Sequence, residues 1–460
     1  MLKLFDRDNK EAITKLEFLT IIVFFVIASL WAIYMPETYA PDERMRFLIP
    51  KFIYAHNSLP LPDDPEVIYK IYDASYAYYP FFIGPICSAI FMKIASIFGI
   101  TGAGLLVAAR FTSVISGALF VYFLIKIAKR LFKNQYTKWF AIILGTTIPQ
   151  FMFLSSYVNN DSLALMASAM MVLGWICGIQ DKWNFKNATL LAIGIIICAL
   201  SYYNAYAWIL TSMIMFVVSF INKENEEKVK LDYKNMLKYG IFISVIVLIG
   251  IGFFFIRNYI VTDGDLLGID AFLNACEEGA EDFLKPSNRE TPKNLGMPIL
   301  EMFTTLRYHQ NETWITNTYK SFVCTLGKMV HYIASPVYIF YGIIFAIGII
   351  GMIIHFFKIL KGNYKMKVFY INLLISFIVP IFLSIRYSYA TDYQPQGRYI
   401  YPLWMSLIIF TTTGVEFLLS KIKFLENKEK LKKGLFIGVL IIFLIITIIA
   451  NYLYFTSIIK

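Results

Sequence analysis

Three short polar motifs interrupt an otherwise apolar chain, and they hold the residue types that could do chemistry. Pro41-Asp42-Glu43-Arg44 sets two adjacent carboxylates just after the first apolar run. Asn159-Asn160-Asp161 precedes another apolar run, and Gln394-Pro395-Gln396-Gly397-Arg398-Tyr399 joins a guanidinium to amides and a phenol. A positioned carboxylate can take a proton from a hydroxyl. A planar guanidinium is the usual partner of a phosphate. Gly397 would let the backbone of that segment come close to a neighbour. One base and one phosphate-binding cation suit displacement at a carbon whose leaving group is a phosphate. Glycoside hydrolysis, by contrast, needs two paired carboxylates.

Each motif also has a structural reading. Asp42 could cap a helix whose first turn holds Glu43 and Arg44, and the apolar spacing of 46–56 suits an amphipathic helix at a membrane interface. Asp161 could cap the helix that begins at Ser162. Arg398 could reach out to lipid headgroups. Arg257, in Arg257-Asn258-Tyr259, is either an interface anchor or a second cation for the same phosphate. Arg307 with Trp314 is a weaker candidate for contact with a glycan. The five cysteines lack metal-ligand spacing, although Cys276 and Cys324 share a polar stretch and could pair. With no phosphate-binding glycine loop and no dinucleotide fingerprint, no nucleotide cofactor is expected. A divalent cation, if one is used, would fall to Asp42 and Asp161.

These motifs have to be positioned by helices in a bilayer. Hydrophobic residues make up 58% of the 460 residues and charged ones 16%, too few charges for a soluble surface of this size. Apolar runs of roughly 20 residues recur, each able to cross a hydrocarbon core as a helix. The net charge of +11 sits mostly in short segments between these runs, where it anchors topology and argues against nucleic acid. The loop 126–138 holds Lys126, Lys129, Arg130, Lys133 and Lys138 with no acid, and 223–238, 358–367 and 421–433 are also lysine-rich. All of these face the cytoplasm only if segment 79–98, with Pro80, Pro85 and Lys93, lies against the outer face instead of crossing. A charge near the bilayer centre costs about 2.5–3.5 kcal/mol on insertion scales.

The reading is an all-α polytopic membrane protein of about eleven transmembrane helices with a cytoplasmic N-terminus. It has an N-terminal module over 1–256 that carries a first outer loop at 36–103, a long extracytoplasmic loop at 257–330, and C-terminal helices over 331–460. Acids contribute little to the positive-inside rule, yet PDER (41–44), NND (159–161), TDGD (262–265) and DYQPQGRY (392–399) all fall on the outer side.

The order of these motifs resembles the GT-C-fold, lipid-carrier-dependent glycosyltransferases, the group that includes protein O-mannosyltransferases and the aminoarabinose transferase of lipid A. The stretches that carry the resemblance are PDER at 41–44, YYPFFIGP at 78–85, Arg110, YVNNDSLAL at 157–165, RNYIVTDGD at 257–265, YKSFVCTLG at 319–327 and QGRYIYP at 396–402. It implies transfer of a sugar from a polyprenyl-phosphate donor to an extracytoplasmic glycan, lipid or protein acceptor of the cell envelope, at the plasma membrane. Asp42 would be the base, with Glu43 orienting it. Asn160, Asp161, Arg257, Gln396, Arg398, Tyr399, Tyr79 and Arg110 would bind substrate. In one departure, the place where close relatives often carry a histidine reads Arg44-Met45-Arg46. A glycan polymerase or ligase with a diphosphate-linked donor is the nearest alternative. A transporter or lipid flippase is more distant, since it should show internal repeats and mid-membrane ionisable groups.

Overall fold

The computed structural model describes residues 12–225, 228–306, 312–422 and 428–459; Arg307 lies outside them. The first half holds α1 (Lys15–Tyr34), α2 (Glu43–His56), α3 (Ile83–Ile97), α4 (Ala103–Leu131), α5 (Gln135–Thr147), α6 (Pro149–Leu154), α7 (Asp161–Gln180), α8 (Phe185–Ala199) and α9 (Ala207–Ser219). A hairpin of β1 (Ile221–Asn225) and β2 (Lys228–Leu231) then leads to α10 (Tyr233–Val261). The outer segment that follows contains α11 (Ile269–Gly279), α12 (Ile299–Met302), α13 (Trp314–Val323) and a small hairpin, β3 (Thr325–Leu326) with β4 (His331–Tyr332). The chain ends in α14 (Ser335–Ile359), α15 (Tyr364–Ala390), a 3₁₀ segment Gly397–Leu403, α16 (Trp404–Lys421) and α17 (Glu429–Ile459).

Among the described residues, eight helices are long and apolar enough to cross a bilayer: α1, α4, α7, α10, α14, α15, the 397–421 segment and α17. The chain is therefore a multi-pass membrane protein. The other three expected spans are helical but shorter. Segment 139–157 is broken into α5 and α6 because Pro149 holds Ile148 in an extended conformation, and 187–203 and 205–221 correspond to α8 and α9. Segment 79–98 forms α3, fifteen residues long and so about 22 Å, the same length as α8. Lys93 donates to Asn57 Oδ1 at the end of α2 and lies 5.9 Å from the Tyr54 ring. α3 thus packs on its amphipathic partner α2, and its charge is matched there.

α7 is almost wholly buried at the centre, whereas α10 is at the periphery with its apolar side chains exposed. The outer end of α1 is clamped by α17. Trp31 stacks on Tyr454 at 4.1 Å and 5°, Trp31 Nε1 donates to Asn451 Oδ1 at 2.8 Å, and Tyr39 Oη shares a 2.5 Å hydrogen bond with Ser457. That clamp fixes the loop that delivers Asp42.

Candidate active site

Asp42 stands where an N-cap residue would, but it does not cap α2. Its backbone is left-handed (φ 58°, ψ 0°) and its side chain makes no capping hydrogen bond. A non-glycine residue in this region is uncommon, although Asp tolerates it better than most. The conformation turns the carboxylate toward the far end of the chain. There Arg398 Nη2 donates to Asp42 Oδ2 at 2.6 Å. Arg398 is itself almost fully buried and lies 5.0 Å from the Tyr399 ring. Its Nε and Nη1 have no hydrogen-bond partner.

Arg398 is held by a bolted turn. Gly397 N–H donates to Ser321 Oγ at 2.7 Å, Tyr401 Oη donates to the Phe322 carbonyl at 3.0 Å, and Trp208 Nε1 donates to the Pro402 carbonyl at 2.9 Å. A Cβ on Gly397 would lie 2.2 Å from Phe322 N, so the close approach expected of this glycine is used to dock the turn on α13. The motif at 319–327 is therefore the seat of Arg398.

The pair opens into a cavity of about 820 Å³. Its walls are rich in tyrosine: Tyr69, Tyr72, Tyr76, Tyr79, Tyr203, Tyr387 and Tyr399, with Phe272 stacked against Tyr76. Gln394 and Gln396 line it as well. Burial pushes the Tyr72 phenol up to about 12 and raises Tyr76 as well, so both stay neutral and can donate hydrogen bonds. The Asp42 side chain keeps 34% of its surface open to this space. Burial among the surrounding protein raises its carboxyl, but the Arg398 and Arg46 guanidiniums outweigh burial and hold it below the ordinary range.

Asp161 is buried within the same electrostatic cluster as Arg398, Arg46 and Asp42. It is not a cap. α7 begins at Asp161, and the capping bond comes instead from Asn159 Oδ1, which accepts from Ser162 N–H at 3.0 Å. Asn160 lines a small side pocket with Arg46, Tyr76 and Tyr79.

Neither Asp161 nor Asn160 lines the main cavity, and three other expected site residues are engaged in structural contacts. Glu43 and Arg110 are consumed by each other: Arg110 Nε donates to Glu43 Oε1 at 2.8 Å and Nη2 to Oε2 at 2.6 Å, with both side chains sealed. Arg110 Nη1 also donates to the carbonyls of Ala32 (2.8 Å) and Met35 (2.6 Å), and Val158 N–H donates to Glu43 Oε1 at 2.8 Å. Arg110 is thus not free to hold a substrate, and Glu43 has no oxygen to spare for orienting one. Arg257 donates to the Pro60 carbonyl and lies over Phe82 at 4.8 Å, outside the cavity lining. Cys276 and Cys324 are both free.

Sequence reasoning passed over Arg46, Lys328 and Asp392. Arg46 lies 4.6 Å from the Tyr76 ring with its Nε unpartnered. It sits one turn after Asp42, and that spacing was the available signal. Asp392 accepts from Gln394 Nε2 at 3.0 Å, and burial raises its carboxyl against the opposing charge of Arg289. Nothing local marks Lys328. A divalent cation does not fit: among the described residues no three His, Cys, Asp or Glu side chains converge on one point. Asp42 already shares its charge with a guanidinium, and Arg46 adds a second positive charge.

Residues 84–253 match the family model described as dolichyl-phosphate-mannose-protein mannosyltransferase. The fold is similar to the oligosaccharyltransferase AglB of Archaeoglobus fulgidus in complex with an inhibitory peptide and a dolichol-phosphate. That similarity has a TM-score of 0.56 at 14% identity and covers 96% of this chain and 56% of that one. The apo form of the Archaeoglobus fulgidus enzyme gives 0.57 at 14% identity, over 95% and 56%. ArnT from Cupriavidus metallidurans bound to undecaprenyl phosphate overlaps less, with a TM-score of 0.47 at 12% identity over 88% and 61%. The chain has the GT-C fold and spans 56% of the length of the archaeal enzyme. No curated protein matches it by sequence.

Proposed function

We propose that this GT-C-fold chain is a membrane glycosyltransferase that moves a sugar from a polyprenyl-phosphate carrier to a hydroxyl-bearing acceptor at the extracytoplasmic face, with inversion at the anomeric carbon. The observation that carries the reading is the 2.6 Å contact between Asp42 and Arg398 inside a tyrosine-walled cavity of about 820 Å³. The space is of the size that small-molecule sites use. It offers a carboxylate, a guanidinium with two unmet donors, and aromatic faces on which a sugar ring can stack.

In the proposed reaction, Asp42 takes the proton of the acceptor hydroxyl. The acceptor oxygen bonds to the anomeric carbon as the carbon–oxygen bond to the phosphate breaks. The bonding pair leaves on the polyprenyl phosphate, and Asp42 later gives its proton to solvent. The Nε–H and Nη1–H groups of Arg398, which have no hydrogen-bond partner among the described residues, would answer the charge that builds on the leaving phosphate. A placed base is typically worth about 10²–10⁴-fold, and electrostatic stabilisation of developing charge is often the larger effect.

Arg398 couples the two halves of the reaction. Without donor, its charge is spent on Asp42 and keeps that carboxylate a weak base. A bound phosphate shares the guanidinium, and the basicity of Asp42 rises when the donor is seated. Asp161 and Asn160 are proposed to bind sugar hydroxyls, and Tyr79, Gln396 and Tyr399 to form the wall of the sugar site. The dolichol-phosphate and inhibitory peptide in the archaeal enzyme of the same fold support a lipid-phosphate and an acceptor meeting on this scaffold.

The test is transfer in membranes containing the full chain and supplied with a polyprenyl-monophosphate sugar. The expected products are a new glycosidic bond and free polyprenyl monophosphate, detected by mass spectrometry. Release of a diphosphate would favour the polymerase or ligase chemistry instead. Movement of the lipid across the bilayer with no new bond would point to a flippase.

A further inference from the structure

We propose that Lys328, carried on the tip of the β3–β4 hairpin, is a second cation for the phosphate of the lipid-linked donor. The proposal rests on the reading of the cavity as a polyprenyl-phosphate site and names the residue that completes it. Lys328 lines the same cavity as Asp42, Arg398 and Tyr399. Its side chain is exposed, and no ion pair or side-chain hydrogen bond holds it among the described residues. Of the other cavity cations, Arg44 pairs with Glu37 at 3.6 Å and Arg289 Nε donates to the Leu284 carbonyl at 3.1 Å, while Arg386 of α15 also lines the cavity.

The hairpin is built to hold this position. Gly327 and Met329, on either side of Lys328, both have positive φ (66° and 63°). For methionine that conformation is strained and persists only where the surroundings enforce it. Here they do. Thr325 N–H donates to Gln150 Oε1 at 2.9 Å, and Tyr338 Oη bridges the base, donating to the Cys324 carbonyl at 2.6 Å and accepting from Ile333 N–H at 3.2 Å. His331 stacks on Tyr39 at 5.8 Å and 11°. Tyr39 belongs to the loop that delivers Asp42, so the hairpin and the base are tied to each other.

The chemistry calls for such a group. The leaving phosphate monoester carries close to two negative charges, and Arg398 already divides one positive charge with Asp42. An ammonium on a flexible stem acts as a point charge that can follow the phosphate as it departs, while the guanidinium keeps fixed geometry. The field of Lys328 also reaches Asp42.

The experiment measures binding of a polyprenyl phosphate and of the matching uncharged polyprenol to the full chain in nanodiscs. Wild type should prefer the phosphate. Lys328→Ala should lose about tenfold in phosphate affinity, leave polyprenol binding and the melting temperature unchanged, and be rescued by Lys328→Arg. If wild type prefers the phosphate and Lys328→Ala keeps that preference in full, the assignment of Lys328 is wrong while the donor class stands. If wild type does not distinguish phosphate from alcohol, both fall. If Lys328→Ala weakens an acidic acceptor and spares the donor, the lysine belongs to the acceptor and the proposal is overturned.

Discussion

Asp42 and Glu43 are neighbours in sequence, each paired with a distant arginine, and the two pairs do opposite things. The Glu43–Arg110 pair is closed on every side: five hydrogen bonds of 2.6–2.8 Å, counting those to Ala32, Met35 and Val158, use its donors and acceptors to bind the end of α1, the start of α2, α4 and the turn before α7. The Asp42–Arg398 pair lines a cavity, shares one bond, and leaves the buried Arg398 Nε and Nη1 without a hydrogen-bond partner among the described residues. A sealed pair holds elements together. A pair with unspent donors beside open space is arranged to receive something. The strut also explains how the open pair is positioned, since the residue beside the proposed base is fixed to three other elements.

The sharpest way to break this comparison is to neutralise each carboxylate in turn. Asp42→Asn should lower turnover by about 10²–10⁴-fold with the chain still folded, measured as transfer in membranes alongside a melting curve. Arg110→Ala should do the reverse. It strands a buried Glu43 and should cost about 3–5 kcal/mol of stability, seen as a lower melting temperature and lower yield, while the folded fraction keeps its turnover. If Asp42→Asn turns over normally and Glu43→Gln is dead at wild-type stability, the roles of the two pairs are exchanged.

The same contrast marks what could be read from the sequence. The apolar runs gave the helices, and Pro80, Pro85 and Lys93 set apart a segment that forms a short helix packed on α2. Asp42 and Arg398 could be picked out because an acid and a guanidinium beside glycine and tyrosine on the outer side imply a chemistry. What could not be read was which of two adjacent carboxylates faces the cavity. That depends on the left-handed backbone at Asp42 and on where Arg110 of α4 arrives, both fixed by tertiary packing. Arg257 looked as suitable as Arg398, but α10 is a peripheral helix and leaves it beside Pro60 and Phe82. Lys328 gave no local signal because its position is made by a hairpin whose strands are two residues each.

A smaller effect is expected from pH. Asp42 must be ionised to act, and its carboxyl lies below the ordinary value of 3.8 because of Arg398 and Arg46. The acid limb of kcat/KM, which reports the free enzyme, should therefore fall below that value, with a flat profile from neutrality downward. Stability from the pair has the same sign: it is present above the unfolded carboxylate value and lost as pH falls through the lower, folded one. Arg398→Gln removes the main opposing charge and leaves burial in place, so the residual activity should show an acid limb moved upward. A limb that does not move would separate Arg398 electrostatically from the base.

The smallest effect should come from Arg257→Ala. Its guanidinium satisfies the Pro60 carbonyl and covers the face of Phe82, contacts that join α10 to the first outer loop. A half-buried bond and a cation–π contact of this kind amount to about 1–2 kcal/mol. The substitution should therefore lower the melting temperature slightly, with KM for the donor and kcat both at wild-type values. A rise in donor KM at unchanged stability would mean that the first outer loop swings Arg257 toward the phosphate during turnover. The distinction between guanidiniums inside and outside the cavity would then hold only for the donor-free state.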